Sequence, residues 1–294
     1  MDYAASLSAL ADPASPRIVP LLDPDFRPLA VARRAFLAEA RVPLVIGLER
    51  SDGTTSRYET HVIEEGKPAS VANLAYVERL VKFMLWQKGG FRVRIGGPRG
   101  LADAVAAQYK PGARQAFDHQ FMGETISERP FEVLACDPDQ VPEARETSMP
   151  IGRHLEGCRL GFDLGASDRK ASAVVDGEAV YTEEVVWSPR DATDPQYHFD
   201  EIMAGLKSAA AHMPRVDAIG GSSAGVIVNN RPMVASLFRG VPKAAFDAKI
   251  KPLFQEIGKA WGVPIEVAND GDVTALGGAM SLGDNSVLGA AMGS

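Results

Sequence analysis

One stretch of the sequence decides the fold: Arg159-Leu-Gly-Phe-Asp-Leu-Gly-Ala-Ser-Asp-Arg-Lys170, followed by Ala171-Ser-Ala-Val-Val-Asp-Gly177. It predicts an apolar strand, a tight turn and a return strand, because Leu160 and Phe162 have the spacing of one strand face. Asp163 stands at the end of the first strand. The stretch is therefore either a hairpin with a charged tip or a turn built to hold a ligand.

The turn has the chemistry of a phosphate-binding loop. Gly165 lets the backbone approach a ligand closely, Ala166 is small, and Ser167 adds a hydroxyl. Lys170 places a cation at the start of the return strand. The carboxylate of Asp163 suits a magnesium ion, held directly or through water. These five residues are candidate ligand-binding residues, and the alternative is an ordinary hairpin.

Composition limits the classes of function. The chain has 294 residues, enough for two domains. Its formal net charge of -7 argues against a general nucleic-acid-binding protein, because phosphate contacts need clustered Lys and Arg. No signal peptide and no bilayer-spanning apolar run is visible, and Cys136 and Cys158 form no metal-ligand cluster. We expect a cytoplasmic protein with free thiols and with no nucleic-acid or membrane partner.

The sequence pattern divides the chain into three parts. Residues 1–41 carry several prolines and are expected to form an extended arm with one short helix, Ala30 to Ala40. Residues 42–157 predict a smaller separate α/β unit that ends in a linker. Residues 158–294 have the order β-β-β-α-β-(ββ)-α-β-α-β, with a last strand at Ser286 to Leu288. This order fits a mixed sheet with helices on both faces.

Two glycine-rich motifs have competing interpretations. Gly96-Gly-Pro-Arg-Gly100 lies between a strand and a helix, but it lacks the spacing of a nucleotide fingerprint, and Pro98 removes one donor. A structural turn is favoured there. Gly221-Ser-Ser-Ala-Gly225 matches the G-x-S-x-G elbow of serine hydrolases, but a β-prone run follows it and all five histidines precede it. It is either a plain loop or a floor on which Ser223 and Gly225 contact ligand hydroxyls.

The second signal for chemistry is Glu266-Val-Ala-Asn-Asp-Gly-Asp-Val-Thr-Ala-Leu276. A strand leads into Asn269 and Asp270, and a helix begins at once. Asn269 has both a donor and an acceptor for a hydroxyl group. Asp270 could take the proton from a hydroxyl that attacks a phosphoryl group. The alternative is helix N-capping, and the two roles are compatible.

In order and spacing these motifs resemble the ROK family of sugar kinases and transcriptional repressors, within the actin, hexokinase and Hsp70 superfamily. Gly161 to Lys170 resembles the first phosphate motif, and Ala218 to Val226 occupies the place of the sugar-side loop. Gly262 to Gly277 is similar to the segment that holds the catalytic Asp. The resemblance implies a ribonuclease H-like mixed sheet flanked by helices, the actin-like ATPase N-lobe, for residues 158–294.

The resemblance also implies roles for single residues. Asp163 would organise magnesium, and Ser167 with its neighbours would face the phosphates of ATP. Ser223 and Asn269 would contact the sugar. Asp270 would be the general base.

The sequence departs from the family's pattern in several places. Ala166-Ser167 replaces the commoner Gly-Thr, Gly271-Asp272 replaces a small-Asn pair, and the zinc-binding cysteine cluster is absent. Leu288-Gly-Ala-Ala-Met-Gly-Ser294 resembles the opening of a second phosphate loop, cut short. This adds Gly293 and Ser294 to the ATP-binding candidates and implies that a second lobe is missing.

The resemblance implies an ATP-dependent sugar kinase-like protein that transfers a phosphoryl group to a sugar hydroxyl with magnesium, and it leaves open whether this chain alone is active. The alternative is a non-catalytic sugar- or nucleotide-sensing regulator. A third possibility is a structural pseudo-enzyme in which the first unit mediates assembly. Apolar surface where a second lobe would dock leads us to consider a homo-oligomer.

Overall fold

Two units make up the chain, Met1–Ser148 and Met149–Ser294, in a computed structural model that describes residues 2–146 and 152–290. Each unit has its own hydrophobic core. In the described ranges, no helix is both long enough and apolar enough to cross a bilayer.

The first unit is built on a four-stranded sheet. Its strands are β1 (Val42–Glu49), β2 (Thr55–Val62), β3 (Arg92–Gly96) and β4 (Glu132–Cys136). The order is β2-β1-β3-β4, in which β1 runs antiparallel to β2 and β3, and β3 runs parallel to β4. The helices are α1 (Tyr3–Ala11), α2 (Leu29–Glu39), α3 (Asn73–Lys88), α4 (Arg99–Gln108) and α5 (Ala116–Gln120), which continues as a π-helical turn, Phe121–Ser127.

The prediction of an extended N-terminal arm is wrong for its first residues, which form the helix α1 packed on the first unit. The side chain of Asp2 caps it by accepting the Ala4 backbone N–H at 2.9 Å. Tyr3 and Leu10 are buried in the core of the first unit. The free energy gained by this burial stabilises a helix that is too short to form alone. The local composition of residues 1–41 does not indicate this contribution. The predicted short helix is present as α2.

The second unit has the strand order of a ribonuclease H-like sheet. Its strands are β5 (Cys158–Leu164), β6 (Asp168–Val175), β7 (Glu178–Val186), β8 (Ala218–Ser223), β9 (Val226–Val228), β10 (Arg231–Val234) and β11 (Ile265–Asn269). The main sheet is β11-β8-β5-β6-β7, and β9 and β10 form a separate hairpin. β5, β6 and β7 are antiparallel neighbours, whereas β8 and β11 run parallel to β5. The predicted fold class is confirmed.

The helices of the second unit differ from the sequence prediction in one place. They are α6 (Pro195–Ala210), α7 (Lys243–Ala245), α8 (Leu253–Trp261) and α9 (Asp270–Leu282). The predicted order has a single helix after the paired short strands, but here that helix is broken, because a π-helical turn follows α7 and Pro252 precedes α8. Proline lacks the backbone donor that a continuous helix needs.

The predicted last strand at Ser286 to Leu288 is wrong. Asn230, at the tip of the β9–β10 hairpin, already bonds the outer edge of β11. Its side chain donates to the Ile265 carbonyl at 3.0 Å and accepts the Val267 N–H at 2.7 Å. A further strand on that edge would have to displace both bonds.

Side-chain alternation along β5 separates the core from the open face of the main sheet. Leu160, Phe162 and Leu164 are buried and join the core formed with α6 and α8. Gly161 and Asp163 point to the other face, because successive side chains on a strand point in opposite directions. This face carries the candidate site.

Candidate functional site

The carboxyl ends of the parallel strands β5, β8 and β11 share one edge of the main sheet. In register, Asp163 pairs with Ser222, and Ser222 pairs with Ala268. Neighbouring strands lie about 4.8 Å apart, so these residues form one row on the open face. Asp270 follows two residues after Ala268, at the start of α9.

A cavity of about 1530 Å³ opens on this face. It is lined by the predicted residues of both chemical motifs, Asp163, Gly165, Ala166, Ser167, Lys170 and Asp270. Small residues lie along its floor, where Gly161 and Gly220 pair across β5 and β8. The sheet surface is therefore accessible to a ligand between the ends of β5 and β11.

Trp187 holds the turn between β5 and β6. Its indole N–H donates to the Gly165 carbonyl at 2.9 Å, and its backbone N–H donates to the Ser167 carbonyl at 3.1 Å. A Cβ at Gly165 would lie 2.9 Å from the backbone oxygen of Asp168. The glycine is needed for this close approach of two backbone segments.

Asp168 bonds both polar groups that were expected to face phosphates. Lys170 Nζ donates to Asp168 Oδ1 at 2.7 Å, and Ser167 Oγ donates to Asp168 Oδ2 at 2.9 Å. Lys170 Nζ also lies 3.7 Å from Asp163 Oδ2. The bond from Lys170, and then that from Ser167, lower the pKa of Asp168, and the same lysine bond raises the pKa of Lys170. Lys170 is thus held in its charged form between two carboxylates.

The start of α9 combines helix capping with an available carboxylate. Asn269 Oδ1 accepts the Gly271 N–H at 2.8 Å, and Asn269 Nδ2 donates to the Gly225 carbonyl at 2.8 Å. Both polar groups of this amide therefore serve the structure. Asp270 Oδ1 accepts the same Gly271 N–H at 3.0 Å, and Oδ2 has no bonded donor within residues 2–146 and 152–290. That oxygen is available to a ligand.

Ser223 does not line the cavity. It is fully buried on the same strand face as Ile219, and its Oγ donates to the Ala224 carbonyl at 3.3 Å. Ser222 lines the cavity in its place, because side chains alternate along β8. The short strand β9 follows Gly225, where a hydrolase elbow would have a helix, so the hydrolase interpretation fails.

Four further predicted positions either do not line the cavity or lie outside the described residues. Gly225 and Asn269 do not line it, and their contact with a substrate stays a prediction, as does that of Ser223. Gly293 and Ser294 lie outside the described residues.

Sequence reasoning missed Asp168, Ser222 and Trp187. Strand alternation counted from the buried Ile219 could have identified Ser222 in place of Ser223. Trp187 follows β7, 22 positions after Gly165, so its contact carries no local signal.

The Gly96 to Gly100 motif of the first unit is a structural turn. A Cβ at Gly96 would lie 2.6 Å from the Pro138 Cα, so the glycine allows two backbone segments to pack. Pro98 stands at the N-cap position of α4. Neither feature provides a phosphate site.

The oxygen ligands at the cavity on the open face of the main sheet suit a magnesium ion. In the part of the chain that the structure describes, no group of three His, Cys, Asp or Glu residues could hold a metal ion. Magnesium needs fewer protein ligands, because it keeps several waters and binds one or two carboxylates together with phosphate oxygens. Asp163 beside an open cavity fits a magnesium ion that arrives with a phosphate ligand.

Comparison with known proteins finds similarity at the level of solved structures. Neither a protein-family model nor a curated protein matches this chain. The solved structures that it resembles include a glucokinase, a ROK hexokinase and a ROK-family transcriptional regulator. A glucokinase from Parabacteroides distasonis is 20% identical, with a TM-score of 0.34 over 44% of this chain and 35% of that one.

Two more structures show similar values. A ROK hexokinase from Thermus thermophilus is 17% identical, with a TM-score of 0.33 over 42% of this chain and 38% of that one. A ROK-family transcriptional regulator, a homolog of the E. coli MLC protein, is 22% identical, with a TM-score of 0.34 over 43% of this chain and 31% of that one. The chain therefore spans less than two fifths of the length of these structures.

Proposed function

We propose that this protein is an ATP-dependent sugar kinase-like protein, in which the second unit supplies the magnesium carboxylate and the general base for phosphoryl transfer to a sugar hydroxyl. One observation carries the proposal. Asp163, at the end of β5, and Asp270, at the start of α9, line the same cavity although they are far apart in the chain. Phosphoryl transfer needs a metal-organising carboxylate and a proton acceptor at the two ends of one reaction site.

At the phosphate end, Asp163 would hold magnesium, directly or through water, and the turn at Gly165, Ala166 and Ser167 would face the phosphates of ATP. Magnesium bound there would neutralise charge on the transferring group. Lys170 already lies 3.7 Å from Asp163 and would add a cation for phosphate oxygens. Trp187 keeps the turn in place.

At the acceptor end, Asp270 would take the proton of the attacking sugar hydroxyl. The oxygen then forms its bond to the γ-phosphorus, the bond to the β-phosphate oxygen breaks, and ADP leaves with that electron pair. The free Oδ2 of Asp270 is the atom for this proton. A cytoplasmic location belongs to the proposal, supported by the free thiols of Cys136 and Cys158.

One observation favours a second candidate, a non-catalytic sensor on the same fold. Ser167 and Lys170 are both bonded to Asp168, so the turn satisfies its own polar groups without a phosphate. A sensor would bind a sugar or a nucleotide and show no turnover. Measuring binding and turnover on the same preparation separates the two functions.

We expect Asp163→Asn to weaken Mg-ATP binding by about tenfold or more, because a neutral amide holds magnesium poorly. The measurement is calorimetric titration of the full natural protein with Mg-ATP, before and after a panel of hexoses is added. Asp200→Asn is the matched control, since Asp200 is exposed on α6 and does not line the cavity. Equal affinity in all three proteins would remove Asp163 from its role.

Asp168→Asn should have the opposite effect on Mg-ATP. The change removes a negative charge beside the phosphate turn and releases Lys170 and Ser167 for phosphate oxygens. We expect up to about fivefold tighter binding, since an exposed ion pair is worth at most about 1 kcal/mol. A lower affinity for Mg-ATP would instead show that Asp168 holds the turn in its binding conformation. The bonds from Ser167 and Lys170 to Asp168 would then no longer support a sensor.

A further inference from the structure

A loop of the first unit presents apolar side chains to solvent. Residues 18–26 connect the docked helices α1 and α2 and contain the apolar-acidic run Ile18-Val-Pro-Leu-Leu-Asp-Pro-Asp-Phe26. Leu21 and Leu22 are 99% and 101% exposed, and Phe26 is 48% exposed. Both ends of the loop are anchored, because α1 and α2 bury residues in the core of the first unit. We call residues 18–26 the apolar-acidic loop.

The same loop carries two carboxylates without a cation. Asp23 and Asp25 are exposed and form no ion pair within the described ranges. Arg27, the nearest cation in sequence, donates instead to the carbonyls of Pro24 and Phe26 at 3.2 and 3.0 Å. The loop is thus an exposed apolar surface with negative charge at one end.

A second exposed surface of the first unit consists of aromatic rings. Phe83, Trp86 and Phe117 are each at least half exposed, and we call them the aromatic patch. Trp86 and Phe117 are nearly parallel, at 9°, with ring centroids 6.4 Å apart, and Phe121 packs against both. Exposed clusters of large aromatic side chains mark protein-binding surfaces.

Two arginines border this patch. Arg79 lies one helical turn before Phe83 on α3, and Arg114 stacks over Tyr3, with its guanidinium carbon 3.9 Å from the ring centroid. We call Arg79 and Arg114 the basic rim. Both are exposed, and neither is paired with a carboxylate in the described part of the chain. A cavity of about 490 Å³, lined by both arginines, Phe83 and Leu29, opens between them.

We propose that the apolar-acidic loop of one copy of this chain docks on the aromatic patch and basic rim of a second copy. Leu21, Leu22 and Phe26 would cover the aromatic rings and the cavity. Asp23 and Asp25 would pair with the basic rim. The two surfaces are complementary in both hydrophobicity and charge, and among the residues that the structure describes neither surface is covered by the other kind within its own copy.

The geometry favours a second copy over closure within one copy. The loop is anchored at both ends in its own unit and still leaves Leu21 and Leu22 in solvent. A twofold dimer would make the contact twice, once in each direction, which is the commonest symmetry of homo-oligomers. Single-stranded nucleic acid fits less well, because such proteins need a positively charged groove along the nucleic-acid backbone, and this chain has a formal net charge of -7.

The test is the molar mass of the full chain in solution, measured by sedimentation over about a hundredfold range of protein concentration. We expect a dimer of the 31.4 kDa chain at the upper end. Asp23→Lys/Asp25→Lys and Arg79→Glu/Arg114→Glu should each raise the dissociation constant by about tenfold or more, because like charges then face each other. Glu64→Lys/Glu65→Lys is the control for the change in net charge, and it should dimerise as the natural chain does.

Mixing the two charge-reversed variants shows whether they fail to dimerise because the proposed contact is lost or because they no longer fold. In the mixture, the acidic loop of one variant meets the basic rim of the other, and the basic loop meets the acidic rim. We expect a heterodimer with a dissociation constant within about threefold of the natural dimer's. A natural chain that stays monomeric throughout, or a mixture that stays monomeric while the natural chain dimerises, overturns the proposal.

Discussion

Asp270→Asn is expected to slow phosphoryl transfer to sugar by about 100- to 10,000-fold, the usual contribution of a general base. An amide cannot accept the proton of the attacking hydroxyl. The substitution keeps the side-chain oxygen that accepts the Gly271 N–H, so α9 stays capped. Because the proposed function places Asp270 on the sugar side, the affinity for Mg-ATP should stay within about twofold of the natural value. The measurement is ADP release by the full natural protein with a panel of sugars.

Asp272→Asn is the matched control for this experiment. Asp272 is also an acidic residue in the first turn of α9, but it is exposed and does not line the cavity. It should keep the natural rate. Equal rates for Asp270→Asn and the natural protein would falsify the general-base role, and Mg-ATP binding without turnover in both would favour the sensor.

Arg169→Met is expected to have the largest effect on stability, about 3 kcal/mol of the free energy of unfolding of the second unit. The Arg169 side chain is buried on β6. It donates to Glu183 Oε1 at 3.1 Å and to Glu201 Oε2 at 3.0 Å. Methionine fills similar volume but leaves two partly buried carboxylates without their cation. The value lies at the low end of the usual range because Glu201 can be hydrated from solvent.

Hydrogen exchange of the β6 and β7 amides measures this loss in the second unit separately from the first. Arg215→Met is the control, since Arg215 pairs with Asp217 at the surface and its loss should destabilise the second unit far less. If Arg169→Met costs no more than this control, the buried network does not hold β6 to α6.

The effect of Arg169→Met should also depend on pH. Burial alone would raise the pKa of Glu183, but hydrogen bonds from Ser208, Arg169 and Tyr181 outweigh it and lower that pKa. A lowered pKa in the folded state gives stability that is present above the unfolded pKa and is lost as pH falls through the folded pKa. The difference between the natural protein and Arg169→Met should therefore shrink below the ordinary glutamate pKa.

Much of the site could be predicted because its two motifs are local. The apolar alternation before Asp163 identifies a strand end, and the capping pattern at Asn269 and Asp270 identifies a strand followed at once by a helix. The carboxyl ends of parallel strands in one sheet share an edge, so a correct fold brings Asp163 and Asp270 to the same side. In the structure, Asp163 and Asp270 line one cavity.

The remaining contacts of the site could not be predicted from short stretches of the sequence. The G-x-S-x-G motif selects Ser223, whereas alternation along β8 puts Ser222 on the open face, and the register of β8 against β5 sets Ser222 beside Asp163. By composition, Asp168 is only a polar residue near a turn. In the structure, its carboxylate accepts hydrogen bonds from Ser167 and Lys170. The helix α1 depends on burial of Tyr3 and Leu10 in a core most of whose other residues come from later in the chain.

The sequence by itself determined most of the strands and helices of the second unit, the order in which they follow, and which acidic residues stand at strand ends; it was wrong for the last strand and missed the break before α8. These properties depend on side-chain periodicity and capping within a few neighbouring residues. The tertiary structure alone decided the partners: Trp187 on the turn between β5 and β6, Asp168 between Lys170 and Ser167, Asn230 on the edge of β11 and α1 on α3. Such contacts join residues distant in sequence, and their free energy arises only when the chain has folded and brought them within bonding distance.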